Sequence, residues 1–192
     1  LDLDLLNGLF GLGVDVFKQK RSNILTTRDL AVPYYTGLKL PNENIGVVQN
    51  KGVELQLSHL KTFHDWSLRI NANMAYAKSK ILDISEAGNV PEWQKAEGHA
   101  LGAGLYYMHD GIARTQQDVD NAPDRNGMVV GDLMYRDLNQ DGKIDAADRV
   151  RLDKTNIPRL TYGFSASISY RNISLWSHFA GAGKVWQYYL LS

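Results

Sequence analysis

The residues of this chain best suited to chemistry are oxygen-bearing side chains spaced along one short segment, residues 137–148. Counted from the start of the segment, such side chains stand at positions 1, 3, 5, 9 and 12, with glycine at 6 and an apolar residue at 8. This pattern matches the calcium loop of an EF-hand, in which alternate residues surround a hard cation with oxygen atoms. We therefore predict a structural Ca²⁺ site. The predicted ligands are Asp137, Asn139, Asp141, the main-chain carbonyl of Lys143, Asp145 and Asp148.

The final position of this loop departs from the usual EF-hand sequence, because it holds Asp148 in place of Glu. Asp is one methylene shorter, which disfavours bidentate ligation and lowers the expected affinity. Bacterial dockerin-type loops also commonly end in Asp. The alternative is a surface turn without metal, since Asp, Asn and Gly favour turns for local reasons. No pair of amphipathic helices flanks the loop, so an ion is expected to stiffen it and not to transmit a signal.

No other group of residues has the spacing of a catalytic or metal site. The chain has no cysteine, which excludes thiolate zinc sites, disulfides and a cysteine nucleophile. Gly102-Ala103-Gly104 lacks the lysine and the strand–helix context of a phosphate loop. The histidines are scattered, without zinc-ligand spacing, and are interpreted as structural or surface residues. They are His59, His64, His99, His109 and His178. We predict that the chain is not an enzyme.

Several aromatic residues fall in predicted loops, where two roles are open. They could stack on a sugar ring or a peptide, or they could anchor the packing of the loops themselves. These residues are Tyr34, Tyr35, Trp93, Tyr106 and Tyr107.

Composition excludes two further classes of function. The formal net charge is zero, with 21 basic and 21 acidic residues, so no overall field attracts nucleic acid and none is expected as a partner. No apolar run is long enough for a transmembrane helix, which needs about 18 residues. Membrane-spanning β-strands, which are shorter and alternate in polarity, pass this test.

Two segments alternate apolar and polar residues over about ten positions, which predicts β-strands with one apolar face. In the first, from Trp66 to Tyr76, every even-numbered residue is apolar. The second, from Leu160 to Tyr170, has the same pattern. Strands of soluble sandwiches are usually shorter and have no reason to carry aromatic residues at both ends. The pattern therefore favours an outer-membrane barrel over a soluble sheet.

Six strands are predicted, joined in three hairpins. The hairpins pair 1–6 with 9–20, 51–60 with the strand that begins at Trp66, and the strand that begins at Leu160 with one that begins at Ile173. Their turns are Asn7-Gly8, a few residues within 61–65, and Arg171-Asn172. Long irregular stretches, 21–50 and 79–158, are predicted between the hairpins. Short turns that alternate with long loops are typical of outer-membrane barrels, whose periplasmic turns are short and extracellular loops long.

The last strand and the two ends of the chain are the least defined by the sequence. In the last strand, Trp176 and His178 fall on the opposite face from Ile173, Leu175 and Phe179, so its register is undetermined. Both ends of the chain look like interruptions, and we expect it to be a piece of a longer protein.

Three segments resemble the SusC/RagA family of TonB-linked outer-membrane proteins. The first is NIGVVQNKGVEL at 44–55, and the second is YMHDGI at 107–112. The third runs from GD at 131–132 through YRDLNQDGKID at 135–145 to PRLTYGF at 158–164. Their order and spacing also resemble those of the family.

The resemblance implies an all-β fold: a transmembrane antiparallel barrel of about 22 strands in the cell outer membrane of a Bacteroidetes-type bacterium. Residues 1–192 would supply about six later strands, facing outer-membrane lipid. Such proteins carry a plug, are capped by a SusD-like surface lipoprotein, and import oligosaccharides or peptides through the TonB complex, which contacts N-terminal parts outside this chain. Residues 79–158 would form an extracellular loop that contributes to the substrate or lipoprotein-cap surface.

A second hypothesis is a secreted, calcium-stabilised β-domain that binds protein or carbohydrate. The two hypotheses differ in what the apolar faces of the Trp66 and Leu160 strands contact, lipid in the first and a dry protein core in the second. A dockerin would also carry a second copy of the calcium loop, and the sequence has none.

Overall fold

The chain forms one large antiparallel sheet of six strands. Two small sheets lie in the connection between the fourth and fifth strands of that large sheet. The computed structural model describes residues 1–6, 8–26, 41–123 and 127–187. Its strands are β1 (Asp2–Leu5), β2 (Phe10–Thr26), β3 (Glu43–Phe63), β4 (Trp66–Asp83), β5 (Gly104–Tyr107), β6 (His109–Ile112), β7 (Leu133–Tyr135), β8 (Arg149–Leu152), β9 (Leu160–Tyr170) and β10 (Ile173–Gly183). The large sheet has the order β1-β2-β3-β4-β9-β10, with every pair antiparallel. The prediction of six strands in three hairpins is confirmed.

The turns of the hairpins are tight. Between β3 and β4 only His64 and Asp65 remain unpaired, and Phe63 lies opposite Trp66. His64 has φ +48° and Arg171, in the β9–β10 turn, has φ +49°. A positive φ at the first central residue is the conformation that two-residue hairpins need to match the twist of their strands. Asn7 of the β1–β2 turn lies outside the described residues.

The strands are longer than the alternation of the sequence predicts. Residues 21–26, 43–50 and 79–83 lie in strands, although these stretches were expected to be irregular. An apolar face is required only where a strand crosses lipid, for about 9–11 residues. Beyond that height both faces of a strand meet water, so the alternation that marks it in the sequence disappears.

The register aligns the alternating faces across the whole sheet. Leu55 lies opposite Met74, and Met74 lies opposite Tyr162. Leu68 likewise lies opposite Ile168. Because directly opposed residues of antiparallel strands project to the same side, one face of the sheet is predominantly apolar and the other carries mostly serine, asparagine, glycine and acidic residues.

The last strand follows the same rule, which settles its register. Ile173, Leu175 and Phe179 of β10 lie opposite apolar residues of β9 and therefore belong to the apolar face. Trp176 and His178 lie opposite serines on the polar face, with their rings stacked at 6.0 Å.

The apolar face is not covered by any element of the described residues. Leu57 is 54%, Phe164 41% and Leu175 70% exposed. The buried apolar residues lie elsewhere, almost all in the connection between β4 and β9. A soluble sandwich would bury this face under a second layer. No helix in the described part of the chain has the length and apolar character to cross a membrane.

Candidate functional site

The connection from residue 84 to residue 159, here called the long loop, is a folded unit. β5 pairs with β8, and β6 pairs with β7. Thr115 caps the N-terminus of the helix α1 (Gln116–Asn121), and its side chain accepts the main-chain N–H of Asp118 in a capping box. Main-chain N–H groups of Arg114 and Thr115 donate to Asp118 in return and lower the pKa of its carboxyl. The buried side chains of the loop are mostly alanines, so it is closely packed but small.

The first three predicted calcium ligands accept hydrogen bonds from main-chain N–H groups further along the segment. Asp137 Oδ2 accepts the N–H of Gly142 at 2.8 Å. Asn139 Oδ1 accepts the N–H of Asp141 at 3.1 Å, and Asp141 Oδ1 accepts that of Lys143 at 2.9 Å. The contacts of Asn139 and Asp141 are Asx turns, which bend the chain around its own side chains. Gly142 has φ +80°, the conformation for which glycine is suited at this position.

Asp148 closes the segment and is fully buried. Its two carboxylate oxygens accept the main-chain N–H groups of Leu138 at 2.8 Å and Asp145 at 2.9 Å. Burial raises the pKa of Asp148, but the hydrogen bonds from main-chain N–H groups outweigh it, so the pKa lies below its usual value. Within the described residues no lysine, arginine or histidine forms an ion pair with this carboxylate. A buried carboxylate without a cation is unusual, and here main-chain N–H groups and a side-chain hydrogen bond with Asp137 stabilise it.

The donor set suits calcium in its chemistry, because all six groups offer oxygen atoms. The structure brings Asp145 next to Asp148 and Asn139 next to Asp141. In the described part of the chain, however, no three side chains among His, Cys, Asp and Glu are gathered as metal ligands. Calcium binding therefore stays a prediction, which depends on the amide of Asn139 and the carbonyl of Lys143 as well as on the carboxylates.

Side chains from residues 91–95 hold the end of the segment in place. Trp93 Nε1 donates to the carbonyl of Ala147 at 2.8 Å, and Gln94 Nε2 donates to that of Ala146 at 2.7 Å. Of the two roles open for the loop aromatics, Trp93 has the packing role. The rings of Tyr107 and Tyr135 meet edge to face at 5.7 Å. Tyr34 and Tyr35 lie outside the described residues.

A second cluster, which no sequence motif indicates, joins the long loop to the sheet. Asp153 accepts hydrogen bonds from Lys78 of β4 at 3.0 Å and from the main-chain N–H of Ala100 at 2.8 Å. His99 lies at 3.2 Å and Arg159, just before β9, at 3.8 Å. Although burial opposes ionisation, these partners lower the pKa of Asp153 to about 2. The carboxylate joins residues 99–100 and 153–159 of the long loop to β4.

A family model described as "TonB dependent receptor-like, beta-barrel" matches residues 1–190. The chain belongs to this family. The resemblance of its motifs to SusC/RagA proteins is thereby confirmed, as are the all-β fold and the outer-membrane location. The described strands form an open part of a receptor barrel wall.

Curated relatives of this receptor segment come from Formosa agariphila. TonB-dependent receptor P26 is 27% identical over 195 residues, covering 94% of the chain and 19% of the relative. TonB-dependent receptor P3 is 26% identical over 211 residues, covering 100% of the chain and 20% of the relative. The chain thus spans about a fifth of the length of the curated relatives it matches.

A solved structure shares the fold of this receptor segment. The RagAB peptide importer in its open-open state superposes with a TM-score of 0.66 at 22% identity, covering 91% of the chain and 18% of the solved chain. In a receptor barrel the apolar face of the sheet is the lipid-facing surface and the polar face lines the interior.

Proposed function

We propose that the receptor to which this segment belongs imports nutrients across the outer membrane in a TonB-dependent manner. The observation that carries the proposal is the six-stranded sheet, with an uncovered apolar face and a polar face in continuous register, in a chain of the TonB-dependent receptor family. The TonB complex would act on parts of the receptor outside this chain. This segment would contribute a section of barrel wall and one large loop.

The imported substrate is proposed to be an oligosaccharide or a peptide. The curated relatives are TonB-dependent receptors, and the structurally similar RagAB is a peptide importer. The long loop lies at the end of the sheet opposite the tight turns. We assign this end to the extracellular side, because receptor barrels have short periplasmic turns. There it would form part of the surface that contacts the substrate and a SusD-like surface lipoprotein.

Calcium is proposed as a structural ion of the long loop. Asp137, Asn139, Asp141, the carbonyl of Lys143, Asp145 and Asp148 would hold it. When bound, the ion would supply the positive charge that the buried Asp148 carboxylate lacks among the described side chains. Two Asx turns, at Asn139 and Asp141, bend this segment, and the expected consequence of calcium binding is a stiffer loop.

The secreted β-domain has no observation in its favour. It requires a dry core against the apolar face of the sheet. Leu57, Phe164 and Leu175 on that face are exposed, because no second layer of the described residues packs against them. The uncovered face supports the membrane assignment instead.

The proposal is tested by uptake in the source bacterium. Strains lacking the full-length receptor gene, the TonB gene or neither are supplied with labelled oligosaccharides and labelled short peptides. Loss of uptake of one class in both mutants, with restoration by the receptor gene, is the expected result. Undiminished uptake of both classes in the receptor mutant, under conditions in which the receptor is expressed, would contradict the proposal.

A further inference from the structure

Lysines cluster on the lipid-facing side of the sheet, immediately beyond its apolar band. The last apolar row across β2, β3 and β4 consists of Val16, Val53 and Tyr76, which lie opposite one another. Two residues further along each strand, on the same face, the next row consists of Lys18 opposite Lys51 and Lys51 opposite Lys78. Three positive charges thus stand side by side where the apolar surface ends.

The row beyond it continues the pattern. Lys20 lies opposite Gln49, and Gln49 lies opposite Lys80. Lys184, which follows β10, places its Nζ 4.8 Å from the ring centroid of Tyr76. All of these lysines are exposed. The set, called here the lysine girdle, comprises Lys18, Lys20, Lys51, Lys78, Lys80 and Lys184.

The girdle is poorly neutralised by the described residues. Like charges directly opposed on neighbouring strands destabilise a sheet. Among described side chains, Lys78 has a carboxylate partner, Asp153, which is also shared with His99 and Arg159. The two rows themselves contain six positions, of which five are lysine and none is acidic. An anion from outside the described chain would relieve this repulsion.

The height of the girdle indicates which anion. Tyr76, at the end of the apolar band, is the kind of residue that marks the boundary between hydrocarbon and head groups in outer-membrane barrels. Lysine side chains one and two rows beyond this boundary extend their apolar stems along the strand and place their ammonium groups among the head groups. Phosphate is the anionic group of membrane lipid at that depth.

We infer that the lysine girdle binds the phosphate groups of anionic lipid in the membrane leaflet next to the long loop. The inference rests on the proposed orientation, in which that leaflet is the outer one. A lysine near an anionic membrane surface strengthens binding about fivefold. Bound lipid would hold the barrel at a fixed depth and cover the wall below the long loop.

The experiment uses the full-length receptor in phosphatidylcholine bilayers with and without a minority of phosphatidylglycerol. Lipids retained after extraction into detergent are counted by native mass spectrometry. Lys18→Gln/Lys51→Gln removes two girdle charges and leaves the Lys78–Asp153 pair intact. Lys95→Gln/Lys154→Gln removes two loop charges as the matched control. Lys18→Arg/Lys51→Arg keeps the charge.

The expected result is selective retention of phosphatidylglycerol by the wild type, the control and the arginine variant, with a loss of about 25-fold in the glutamine variant. Equal retention in the two glutamine variants would overturn the inference. Displacement of the retained lipid by inorganic phosphate at equal concentration would also overturn it, because the site would then suit free phosphate. A receptor that retains lipid as expected but imports nothing would contradict the proposed function and leave the girdle standing.

Discussion

Replacing Asp153 by asparagine is expected to loosen the long loop by about 2 kcal/mol at neutral pH. The pKa of Asp153 is lowered from its usual 3.8 to about 2, and each pKa unit corresponds to about 1.4 kcal/mol. The side chain is 27% exposed, so little of this is screened by solvent. Asparagine retains an oxygen for the N–H of Ala100 but loses the charge that attracts Lys78 and Arg159.

The pH dependence follows from the direction of the shift. Because the folded-state pKa lies below the unfolded value, the stabilisation is complete above about pH 5 and is lost as the pH falls through 3.8 toward about 2. The difference between wild type and Asp153→Asn should therefore disappear in acid, where both side chains are neutral.

Amide hydrogen exchange of the full-length receptor in detergent measures this local opening. Peptides covering 96–107 and 149–159 should exchange roughly thirtyfold faster in Asp153→Asn at neutral pH. Near pH 2, where about half of the folded-state carboxyl is protonated, they should exchange only about twofold faster. Asp110→Asn is the control, since it removes a carboxylate of the same loop whose ion pair with Arg136 is half exposed. Such a pair contributes less than about 1 kcal/mol. Equal effects of the two substitutions, or a difference in exchange that is undiminished near pH 2, would refute the reasoning.

Three other substitutions have defined outcomes. Asp141→Ala should abolish calcium binding by residues 137–148 in the full-length receptor, measured by calorimetric titration. Gly52→Ala should lower the unfolding free energy of the barrel by about 1–3 kcal/mol in urea titrations, because an added Cβ would lie 2.7 Å from a main-chain oxygen of the next strand. Trp93→Phe should speed hydrogen exchange of residues 137–148 by a factor corresponding to about 1 kcal/mol, because it removes the indole hydrogen bond while keeping an aromatic ring.

Each of these has a matched comparison. Asp120→Ala, on α1 and outside the calcium loop, should leave calcium uptake unchanged, and undiminished uptake by Asp141→Ala would remove the calcium assignment. In Gly88→Ala the added Cβ has no neighbouring atom within 4 Å. A loss of stability equal to that of Gly52→Ala would therefore contradict the steric argument. Trp186→Phe removes an indole outside the calcium loop. If it speeds hydrogen exchange of residues 137–148 as much as Trp93→Phe does, the Trp93 hydrogen bond is not the cause.

The sheet could be predicted because lipid imposes a period of two on the sequence. Every even-numbered residue of Trp66–Tyr76 and Leu160–Tyr170 is apolar, and the structure aligns these apolar faces position by position. Residues 43–50 of β3 and 79–83 of β4 were not predicted as strand, because they lie where neither face has to be apolar. Motifs shared with SusC/RagA proteins indicated the family where periodicity alone could not.

The long loop could be predicted far less well. Its spacing of Asp, Asn and Gly indicates a cation loop. The structure forms two Asx turns there, and calcium binding stays a prediction. The Asp153 cluster gave no signal, because its partners Lys78 and His99 are distant in sequence and their contact depends on the fold. The lysine girdle is visible only once the register places Lys18, Lys51 and Lys78 in one row.

The central claim, that this sheet is a lipid-facing barrel wall, is tested most directly by a spin-label scan of β4. Single cysteines are introduced at residues 67–74 of the full-length receptor in bilayers, and label accessibility to oxygen and to a polar nickel chelate is measured. We predict that Leu68, Ile70, Ala72 and Met74 favour oxygen and that the odd-numbered residues do not. Low accessibility to both reagents at the even-numbered residues would place them in a dry protein core and contradict the barrel assignment.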